Sequence, residues 1–426
     1  MAREMKDSGI EWIGNIPATW ERCKIKNVIS SIGSGTTPTS SHIDYYNSED
    51  ICWIQSGDLY KTSYISNTAV SLSAKALHLS ALQIYAAPFI VVAMYGASVG
   101  NIAISTIDAC SNQACCCIKP DNNNDLKFMY YWLSMCKIDF LSQSIGGGQP
   151  NISQSKIKNQ FYYRPQLSEQ KVIANFLDSK CSEIDAISAD IQKEIEILEQ
   201  YKRSVITEAV TKGLNPDAEM KDSGIGYIGI IPNHWVVEKI KYHLKYRGNR
   251  NPGGVQVLSV YREYGVIPKD SRDDNHNVTS EDTSNYRYVR VGDFVINKMK
   301  AWQGSMAISD YEGIVSPAYY VYEFSDEHFD RKYFHYLLRN KMYATEFLRV
   351  SGGIRVGQWD LSAYDFENTM VPMPPIKEQK KIAAFLDTKS TEIDSLIGEK
   401  KRQLEVLDSY KKSLIYEYVT GKKEAL

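Results

Sequence analysis

The stretch SEQKVIANFLDSKCSEIDAISADIQKEIEILEQYKRSVITEAV, residues 168–210, decides the fold of this chain. It contains neither Gly nor Pro, and apolar side chains return every seven residues along it. This spacing predicts one continuous helix, roughly 60 Å long at ~1.5 Å per residue, with an apolar seam along one side. The seam residues are Leu177, Ile184, Ile191, Leu198 and Val205. A helix of this length with a continuous seam requires a partner helix.

The chain supplies that partner as a second copy of the same pattern. EQKVIANFLDSKCSEID at 169–185 aligns with EQKKIAAFLDTKSTEID at 378–394, and twelve of the seventeen residues are identical. A second repeat opens each half of the chain: MKDSGIEWIGNIPATW at 5–20 and MKDSGIGYIGIIPNHW at 220–235. Eleven of its sixteen residues are identical. The chain is therefore an internal duplication. The predicted seam of the second helix comprises Leu386, Ile393, Leu407 and Leu414, with Lys400 between them.

Length and composition are those of an ordinary globular protein. The 426 residues are enough for two to four domains, and the apolar and charged fractions are 43% and 23%. The N-terminal residues lack the apolar run of a signal peptide, and no later run reaches the length of a membrane span. All eight Cys lie in the first half of the chain. Because a duplicated secreted protein would be expected to cross-link both copies, we expect reduced thiols, a cytoplasmic location and no membrane contact.

The repeats predict four parts. Residues 1–164 and 215–373 are predicted to form two β-rich domains, and residues 165–214 and 374–426 to form the two helical segments. The lead-in and the long helix form a repeated frame, whereas the segments between them, 21–164 and 236–373 (the two middles), differ in sequence. Ordinary divergence after duplication would explain this, but we favour two middles that bind different ligands.

Local patterns in the middles predict mostly strands and loops. In the first middle, 31–46 reads as a turn-rich loop, 87–105 as two strands around Tyr95-Gly96, and 126–136 as a short helix. In the second middle, 291–309 reads as the equivalent strand pair and 329–348 as one helix.

The sequence contains no recognisable catalytic motif. A phosphate-binding loop, the glycine-rich turn of a dinucleotide or methyl-donor site, an Asn/Asp-Pro-Pro-aromatic quartet and an H-E-x-x-H pair are all missing. Cys110 and the run Cys115, Cys116 and Cys117 are the one group that invites a metal hypothesis. Consecutive strand residues point to opposite faces, so buried small apolar residues are the better interpretation. We therefore predict no catalytic residue and no metal site.

The polar residues of the two middles are typical of nucleic-acid binding. Arg and Lys bind guanine edges or phosphates, and Asn and Gln bind adenine edges. Only about a third of the candidates are expected to touch a ligand. The first middle supplies mainly hydroxyl and amide groups: Ser34, Thr36, Thr37, Ser56, Tyr95, Ser98, Asn112, Gln113, Gln149 and Asn151. The second middle supplies mainly basic, amide and aromatic groups: Arg247, Arg250, Arg262, Asn297, Lys298, Lys300, Trp302, Gln303, Arg355 and Gln358.

Taken in order, these motifs resemble the specificity subunit of type I restriction–modification enzymes. The resemblance covers nearly the whole chain and rests above all on Pro-x-x-x-Glu-Gln-x-x-Ile, which opens both long helices at 165–173 and 374–382. It also rests on the repeated Ile-Pro-x-x-Trp lead-in, on Gly-Ser-Gly-Thr-Thr-Pro at 33–38 and on Ala-Trp-Gln-Gly at 301–304.

The resemblance implies an α+β fold with two mixed, β-rich target recognition domains separated by a long antiparallel two-helix coiled coil, the halves being related by a pseudo-twofold. Each domain would read one half of a bipartite, asymmetric site in double-stranded DNA. The paired helices would set the spacer and dock two methyltransferase subunits, which bind S-adenosylmethionine. Two restriction subunits that use ATP and Mg²⁺ would complete the complex, and this chain itself would hold no cofactor. Polar residues at the seam, Lys400, Gln403 and Glu194, would fix the pairing register.

Two other interpretations stay open at this point. The chain could be a scaffold whose paired helices present two ligand-binding domains to protein or glycan partners. It could also be an enzyme with an unfamiliar site, although no residue pair suggests one.

Overall fold

A computed structural model describes residues 3–425 except positions 61, 81, 143–150, 263, 273–278, 326–328 and 356–357. For residues 47, 49, 354, 355 and 358 only the backbone is described. The chain forms two compact units, one of Met1–Ile191 with Arg402–Leu426 and the other of Gln192–Lys401. Within the described residues, no helix combines the length and the apolar character needed to cross a membrane.

Over its described residues, unit 1 combines short strands with four short α-helices and the first half of a long one. Its strands are β1 Met5–Asp7, β2 Asn15–Pro17, β3 Glu21–Lys24, β4 Ile29–Ser34, β5 Tyr46–Ile54, β6 Tyr64–Ile65, β7 Ser71–Leu72, β8 Phe89–Ala93, β9 Ile102–Ser105, β10 Ala109–Ser111, β11 Cys115–Pro120 and β12 Phe161–Arg164. Its helices are α1 Ala74–Leu79, α2 Leu126–Met135, α3 Lys137–Ser142, α4 Gln154–Asn159 and the long α5 Leu167–Lys212, which continues into unit 2.

Unit 2 repeats this plan. Its strands are β13 Met220–Asp222, β14 Ile230–Pro232, β15 Val236–Lys239, β16 Leu244–Tyr246, β17 Leu258–Tyr261, β18 Gly265–Pro268, β19 Arg287–Val289, β20 Phe294–Asn297, β21 Met306–Ile308, β22 Gly313–Val315, β23 Tyr319–Phe324, β24 Gly352–Arg355, β25 Gln358–Asp360 and β26 Met370–Met373. Its helices are α6 Arg331–Leu338, α7 Lys341–Val350, α8 Ala363–Asn368 and the long α9 Ile376–Val419, whose last part belongs to unit 1.

The central sheets of the two units share one topology. Unit 1 has a five-stranded sheet in the order β4-β11-β8-β9-β6, and unit 2 has a four-stranded sheet in the order β16-β23-β20-β21. In each, a hairpin (β8–β9 or β20–β21) lies beside a strand (β11 or β23) that also pairs with the second strand of the middle (β4 or β16). Residues 291–309 therefore occupy the place of the first middle's strand pair, as the sequence predicts.

Aromatic side chains fill the core of each unit. In unit 1, Trp20 of the lead-in packs edge-on against Phe128 of α2 with ring centroids 6.0 Å apart, and both rings are fully buried. In unit 2, Phe294 of β20 packs against Phe334 of α6 with centroids 5.2 Å apart. Such pairs add to the stabilisation that burial of the rings already gives. The lead-in is thus part of each domain's core.

Two local predictions were wrong. The predicted helix 329–348 is two helices, because the Asn340 side chain accepts a hydrogen bond from the Met342 backbone N–H and so starts α7. The predicted loop 31–46 begins within β4, where residues 31–34 pair with β11. Local turn chemistry favoured a loop there, but pairing with the central sheet overrides it.

The two long helices pair antiparallel within each unit. In unit 2, Lys400 lies 2.5 Å from Glu194 and Lys202 lies 2.7 Å from Asp394. Residue numbers therefore rise along one helix in the direction in which they fall along the other. In unit 1, Lys411 lies 2.6 Å from Asp185, and the rings of Phe176 and Tyr418 are 4.4 Å apart. Paired residue numbers sum to about 595 in both units. The α+β class with two β-rich domains and two long antiparallel helices is confirmed.

The side chains of the predicted seam differ in how deeply they are buried. Leu177, Ile184, Ile191, Leu386, Ile393 and Leu414 are buried, whereas Leu198, Val205 and Leu407 are half-buried. Each helix follows a proline and ends at a glycine with positive φ, 74° at Gly213 and 67° at Gly421. These glycines lie against the Ile-Pro-x-x-Trp lead-ins, Gly213 on Trp235 and Gly421 on Pro17, and a Cβ at position 421 would collide with Pro17. The four-part division of the chain stays a prediction.

Candidate nucleic-acid interface

One end of the first domain's central sheet gathers most of its predicted binding residues. Ser34 at the end of β4 pairs with Cys116 of β11, and Ala93 at the end of β8 pairs with Cys115. The end of β4, the start of β11 and the end of β8 therefore coincide. The connections at this end carry Thr36 and Thr37, Asn112 and Gln113, and Tyr95 and Ser98. Sheet pairing brings together residues that are up to 79 positions apart in the chain.

Hydrogen bonds fix the loop after β4 against the loop before β11. The Thr37 hydroxyl donates to Gln113 Oε1 at 2.5 Å, and the Gly35 backbone N–H donates to Ser111 Oγ at 3.1 Å. A Cβ at position 35 would collide with the Ser111 carbonyl, so only glycine allows this approach. The Asn112 side chain accepts from the Ala114 backbone N–H at 3.0 Å and so shapes its own turn. Thr37 and Gln113 are left exposed beside each other.

The remaining candidates of this domain lie at or near the same end. Tyr95 is exposed and forms a backbone bridge with Asn151, which is also exposed. The Ser98 hydroxyl donates to the Tyr95 carbonyl at 3.3 Å, which closes the turn between β8 and β9. Ser56 begins the short 3-10 helix that follows β5 and is half-buried. Gln149 lies outside the described residues.

The equivalent sheet end of the second domain carries different chemistry. Asn297 ends β20, and the β20–β21 connection that follows holds Lys298, Lys300, Trp302 and Gln303. Asn297 is buried, and its Oδ1 accepts from the Met299 backbone N–H at 3.1 Å, so it shapes the loop. Lys298 forms an ion pair with Asp360 at 2.9 Å, and the Trp302 indole N–H donates to the Met299 carbonyl at 3.2 Å. Lys300 is the exposed cation of this loop.

Other candidates of the second domain lie elsewhere. Arg247 is part of an ion-pair network, with Nε 3.3 Å from Asp293 and a hydrogen bond to Glu323. Burial raises the pKa of Asp293. Arg250 is exposed and bridges to Arg287 through the backbone. Arg262 is exposed at the end of the β17 hairpin strand, whereas only the backbone of Arg355 and Gln358 is described, in the β24–β25 hairpin. Which of these residues bind DNA stays a prediction.

The cysteines are core residues. Cys110, Cys115, Cys116 and Cys117 are fully buried, and Cys116 faces one apolar cluster while Cys115 and Cys117 face another on the opposite side of the strand. Burial raises the pKa of the Cys117 thiol to about 12. Within the described ranges, no three His, Cys, Asp or Glu side chains are grouped as a metal would require.

The repeated Glu-Gln motif forms a joint between each domain and its long helix. Gln170 is fully buried and accepts from the Asp125 backbone N–H at 2.7 Å, at the start of α2, while donating to the Pro165 carbonyl at 2.9 Å. Gln379 repeats both bonds, to Asp330 before α6 and to Pro374, at 2.8 Å each. The sequence shows the repeated motif, but only these hydrogen-bond partners show that it joins the domain to the helix.

A second repeated contact holds the same short helices. Asp178 accepts hydrogen bonds from the Tyr131 hydroxyl at 2.7 Å and from Lys127. Asp387 accepts from the Tyr336 hydroxyl at 2.8 Å and from Lys332 at 2.6 Å. We call each Asp with its Lys and Tyr a clamp. Burial raises the pKa of Asp387, but the bonds from Lys332 and Tyr336 outweigh burial and leave the pKa below its usual range. The spacing Lys-x-x-x-Tyr on a helix was a usable signal that sequence reasoning missed.

The basic residues that the sequence interleaves with aromatic ones in the second middle include Arg272 and Arg287, and both guanidinium groups lie against aromatic rings. The Arg287 guanidinium lies 5.3 Å from the Tyr246 ring centroid and 5.4 Å from that of Tyr320. Arg272 lies 4.3 Å from the ring of Tyr264. Stacked guanidinium and aromatic groups of this kind also contact nucleotide bases and phosphates.

Fold and site together define a duplicated protein that presents two unlike polar surfaces from one repeated framework. Residues 17–197 and 245–406 match the family described as the type I restriction modification DNA specificity domain. The chain therefore belongs to the family of type I restriction–modification specificity subunits.

Individual relatives agree with this membership. The MjaVIII specificity subunit of Methanocaldococcus jannaschii is 25% identical over 318 residues, which cover 69% of either chain. The EcoBI specificity subunit of Escherichia coli is 22% identical over 339 residues, 74% of this chain and 69% of the relative.

Two solved structures share the fold. A chain from a type I restriction–modification system, solved to explain complex assembly and conformational transition, superposes with a TM-score of 0.68 at 12% identity, covering 95% of this chain and 98% of its own. The HsdS subunit of Thermoanaerobacter tengcongensis superposes with a TM-score of 0.50 at 15% identity, covering 96% of this chain and 98% of its own.

Proposed function

We propose that this chain is the non-catalytic, DNA-reading subunit of a type I restriction–modification complex, and that each domain reads one half of a bipartite, asymmetric site. One observation carries the proposal: equivalent ends of two equivalent sheets bear different side chains. The first domain offers hydroxyl and amide groups such as Thr37 and Gln113, and the second offers Lys300, Trp302 and Gln303. Because base edges are distinguished by donor and acceptor patterns, unlike side chains read unlike half-sites.

The paired helices act as the spacer between the half-sites and as the dock for two methyltransferase subunits. The docking surface we propose is a triplet of exposed apolar residues that occurs twice, at an offset of 209 positions. In unit 1 the triplet is Ile187, Val406 and Tyr410, and in unit 2 it is Leu396, Ile197 and Tyr201. All six side chains are between 47% and 66% exposed.

The helix register brings the three residues of each triplet to the same level of the helix pair. Because paired positions sum to about 595, Ile187 is level with position 408, between Val406 and Tyr410. Leu396 is level with position 199, between Ile197 and Tyr201. Exposed apolar groups that recur in both copies suit a partner that binds twice. Two copies of one subunit satisfy this repetition.

The partners carry the chemistry in this proposal. The methyltransferase subunits bind S-adenosylmethionine, and two restriction subunits bind ATP and Mg²⁺. This chain supplies recognition and spacing, holds no cofactor of its own and acts in the cytoplasm.

Methylome sequencing tests the reading role directly. Cells with the partner subunits and this chain should show a bipartite, adenine-methylated motif that disappears when the chain is deleted. Thr37→Ala with Gln113→Ala should relax the bases of one half-site, and Trp302→Ala with Gln303→Ala those of the other. Loss of specificity in both halves from either pair, or no motif in the wild type, would contradict the proposal.

Native mass spectrometry tests the docks. Ile187→Ser with Tyr410→Ser should leave a complex with one methyltransferase subunit, and so should Leu396→Ser with Tyr201→Ser. The four substitutions together should leave none. Retention of two subunits by the fourfold variant would show that the dock lies elsewhere.

A further inference from the structure

A groove of about 1420 Å³ in unit 2 is lined by more cations than the fold neutralises. One wall comes from the paired helices, with Arg203 of α5 and Asp394 of α9, and the other from α6, α7 and the loop carrying Trp302 and Gln303. The basic residues on its walls are Lys202, Arg203, Arg262, Lys332, Arg339 and Lys341. Three of the predicted DNA-binding residues, Arg262, Trp302 and Gln303, thus lie in one groove.

The acidic residues of the groove already have partners. Asp394 pairs with Lys202 at 2.7 Å, and Asp387 belongs to the clamp with Lys332 and Tyr336. Over the part of the chain that the structure describes, no carboxylate forms an ion pair with Arg203, Arg262, Arg339 or Lys341. Four positive charges of the groove therefore have no carboxylate partner among the described residues.

One of these cations is held rigidly. The Arg339 guanidinium contacts the His335 ring nitrogen Nε2 at 2.8 Å and donates to the Arg262 carbonyl. Burial, together with Arg339, lowers the pKa of His335 to about 3, so the ring is neutral and accepts from the guanidinium. Holding the charged guanidinium between neutral acceptors lowers the stability of the folded protein, and a bound anion would restore that stability.

Arg339 occurs in one copy of the duplication, whereas Arg203 has a basic counterpart, Lys412, at the offset of 209. The clamp residues Lys127 and Tyr131 correspond to Lys332 and Tyr336, an offset of 205, which aligns Tyr130 with His335 and Ser134 with Arg339. Tyr130 and Ser134 are uncharged at neutral pH and bond to each other, with the Ser134 hydroxyl donating to the Tyr130 carbonyl at 2.7 Å. A dock for a subunit that binds twice should be present in both copies. A groove whose rigidly held arginine is replaced by Ser134 in the other copy better suits DNA, which meets the two domains with different sequences.

We propose that this groove binds phosphates of the DNA backbone beside the second half-site, through Arg203, Arg262, Arg339 and Lys341. The inference rests on the DNA-reading function proposed above. Phosphate contacts carry no base information, so the groove adds affinity without specificity. Its cations lie on helices and at a hairpin end, next to the loop that we expect to contact bases.

The salt dependence of DNA binding tests this inference. The methyltransferase complex of Arg203→Ala/Lys341→Ala is titrated with a duplex bearing the methylated motif and with a scrambled duplex, at 50 to 200 mM salt. Each lost phosphate contact reduces the slope of log K against log salt by ~0.9. We expect a slope shallower by ~1.8 on both duplexes, so the variant's affinity deficit shrinks ~12-fold across this range. Both side chains are exposed, so the variant should have the same melting temperature as the wild type. If the melting temperature falls, Arg203→Gln/Lys341→Gln is used instead.

The matched control is Lys193→Ala/Lys377→Ala, which removes two exposed lysines of the long helices α5 and α9 that lie outside the groove. Its slope should equal that of the wild type. An unchanged slope in the groove variant, or a loss confined to the specific duplex, would overturn the inference. So would weakened methyltransferase binding with an unchanged slope, which would make the groove a protein dock. If the wild-type complex does not distinguish the two duplexes, the proposed function itself fails.

Discussion

The clamps predict that one carboxylate controls how firmly each domain is held to its long helix. We consider Asp387→Asn, with Asp178→Asn as its matched control in the other copy. The asparagine keeps the shape of the side chain and can still accept from the tyrosine hydroxyl. It loses the negative charge on which the Tyr336 and Lys332 contacts depend.

The expected loss follows from the exposure of the two partners. A hydrogen bond to a charged acceptor contributes ~1.5–3 kcal/mol, against ~0.5–1.5 for a neutral one. Lys332 is 69% exposed and Asp387 is 40% exposed, so solvent screens this ion pair and it adds little. The net loss is therefore ~1–2 kcal/mol, which changes an opening equilibrium by roughly 5- to 30-fold.

Hydrogen exchange read by mass spectrometry measures this change at the correct helix. In Asp387→Asn, amides of α6 should exchange roughly 5- to 30-fold faster while those of α2 keep their rates. Asp178→Asn should show the reverse. A looser second domain should also let the complex methylate sites whose unread gap is one base pair too long or too short. Equal acceleration in both helices, or none in α6, would refute a local clamp.

Four further predictions concern the helices and the second domain. Inserting four residues at the level of positions 193 and 401 in both long helices should lengthen the methylated site's gap by ~6 Å, about two base pairs; an unchanged gap would refute the spacer role. Leu386→Ala should reduce the free energy of unfolding by ~2–5 kcal/mol in urea titrations, because Leu386 is fully buried. Lys400→Leu should permit a shifted helix register, detected by cross-linking, because the pair with Glu194 is lost; an unchanged register would refute its role. The pKa of His335, lowered to about 3, favours the neutral ring in the folded state, so the stabilisation is complete above pH ~6.5 and is lost as pH falls toward 3. Between pH 7.5 and 5.0 the wild type should therefore lose ~2 kcal/mol more unfolding free energy than His335→Gln.

The frame of this protein could be predicted from sequence because its signals are local or repeated. Heptad spacing in 168–210 predicts the long helix, and the second copy identifies its partner. Sequence patterns also predicted the strand pairs around Tyr95 and around Trp302. The errors lie where tertiary contacts decide, as at β4, which joins the central sheet although its sequence resembles a turn. Arg203 and Lys341 were missed for a similar reason: on a helix each looks like an ordinary solvated charge, and only packing places them in one groove.

The duplication offers an internal comparison that separates the frame from the binding surface. Positions where the copies agree in residue and contact, such as Asp178 and Asp387 in the clamps, hold each domain on its helix. Positions where equivalent backbone carries unlike side chains, such as Ser134 and Arg339, differ in charge and in what they could bind. Structural duties must be met twice, so they constrain both copies equally, whereas an asymmetric site on DNA requires the copies to differ. The residues that choose the bases should therefore be sought among the unlike positions at the two equivalent sheet ends.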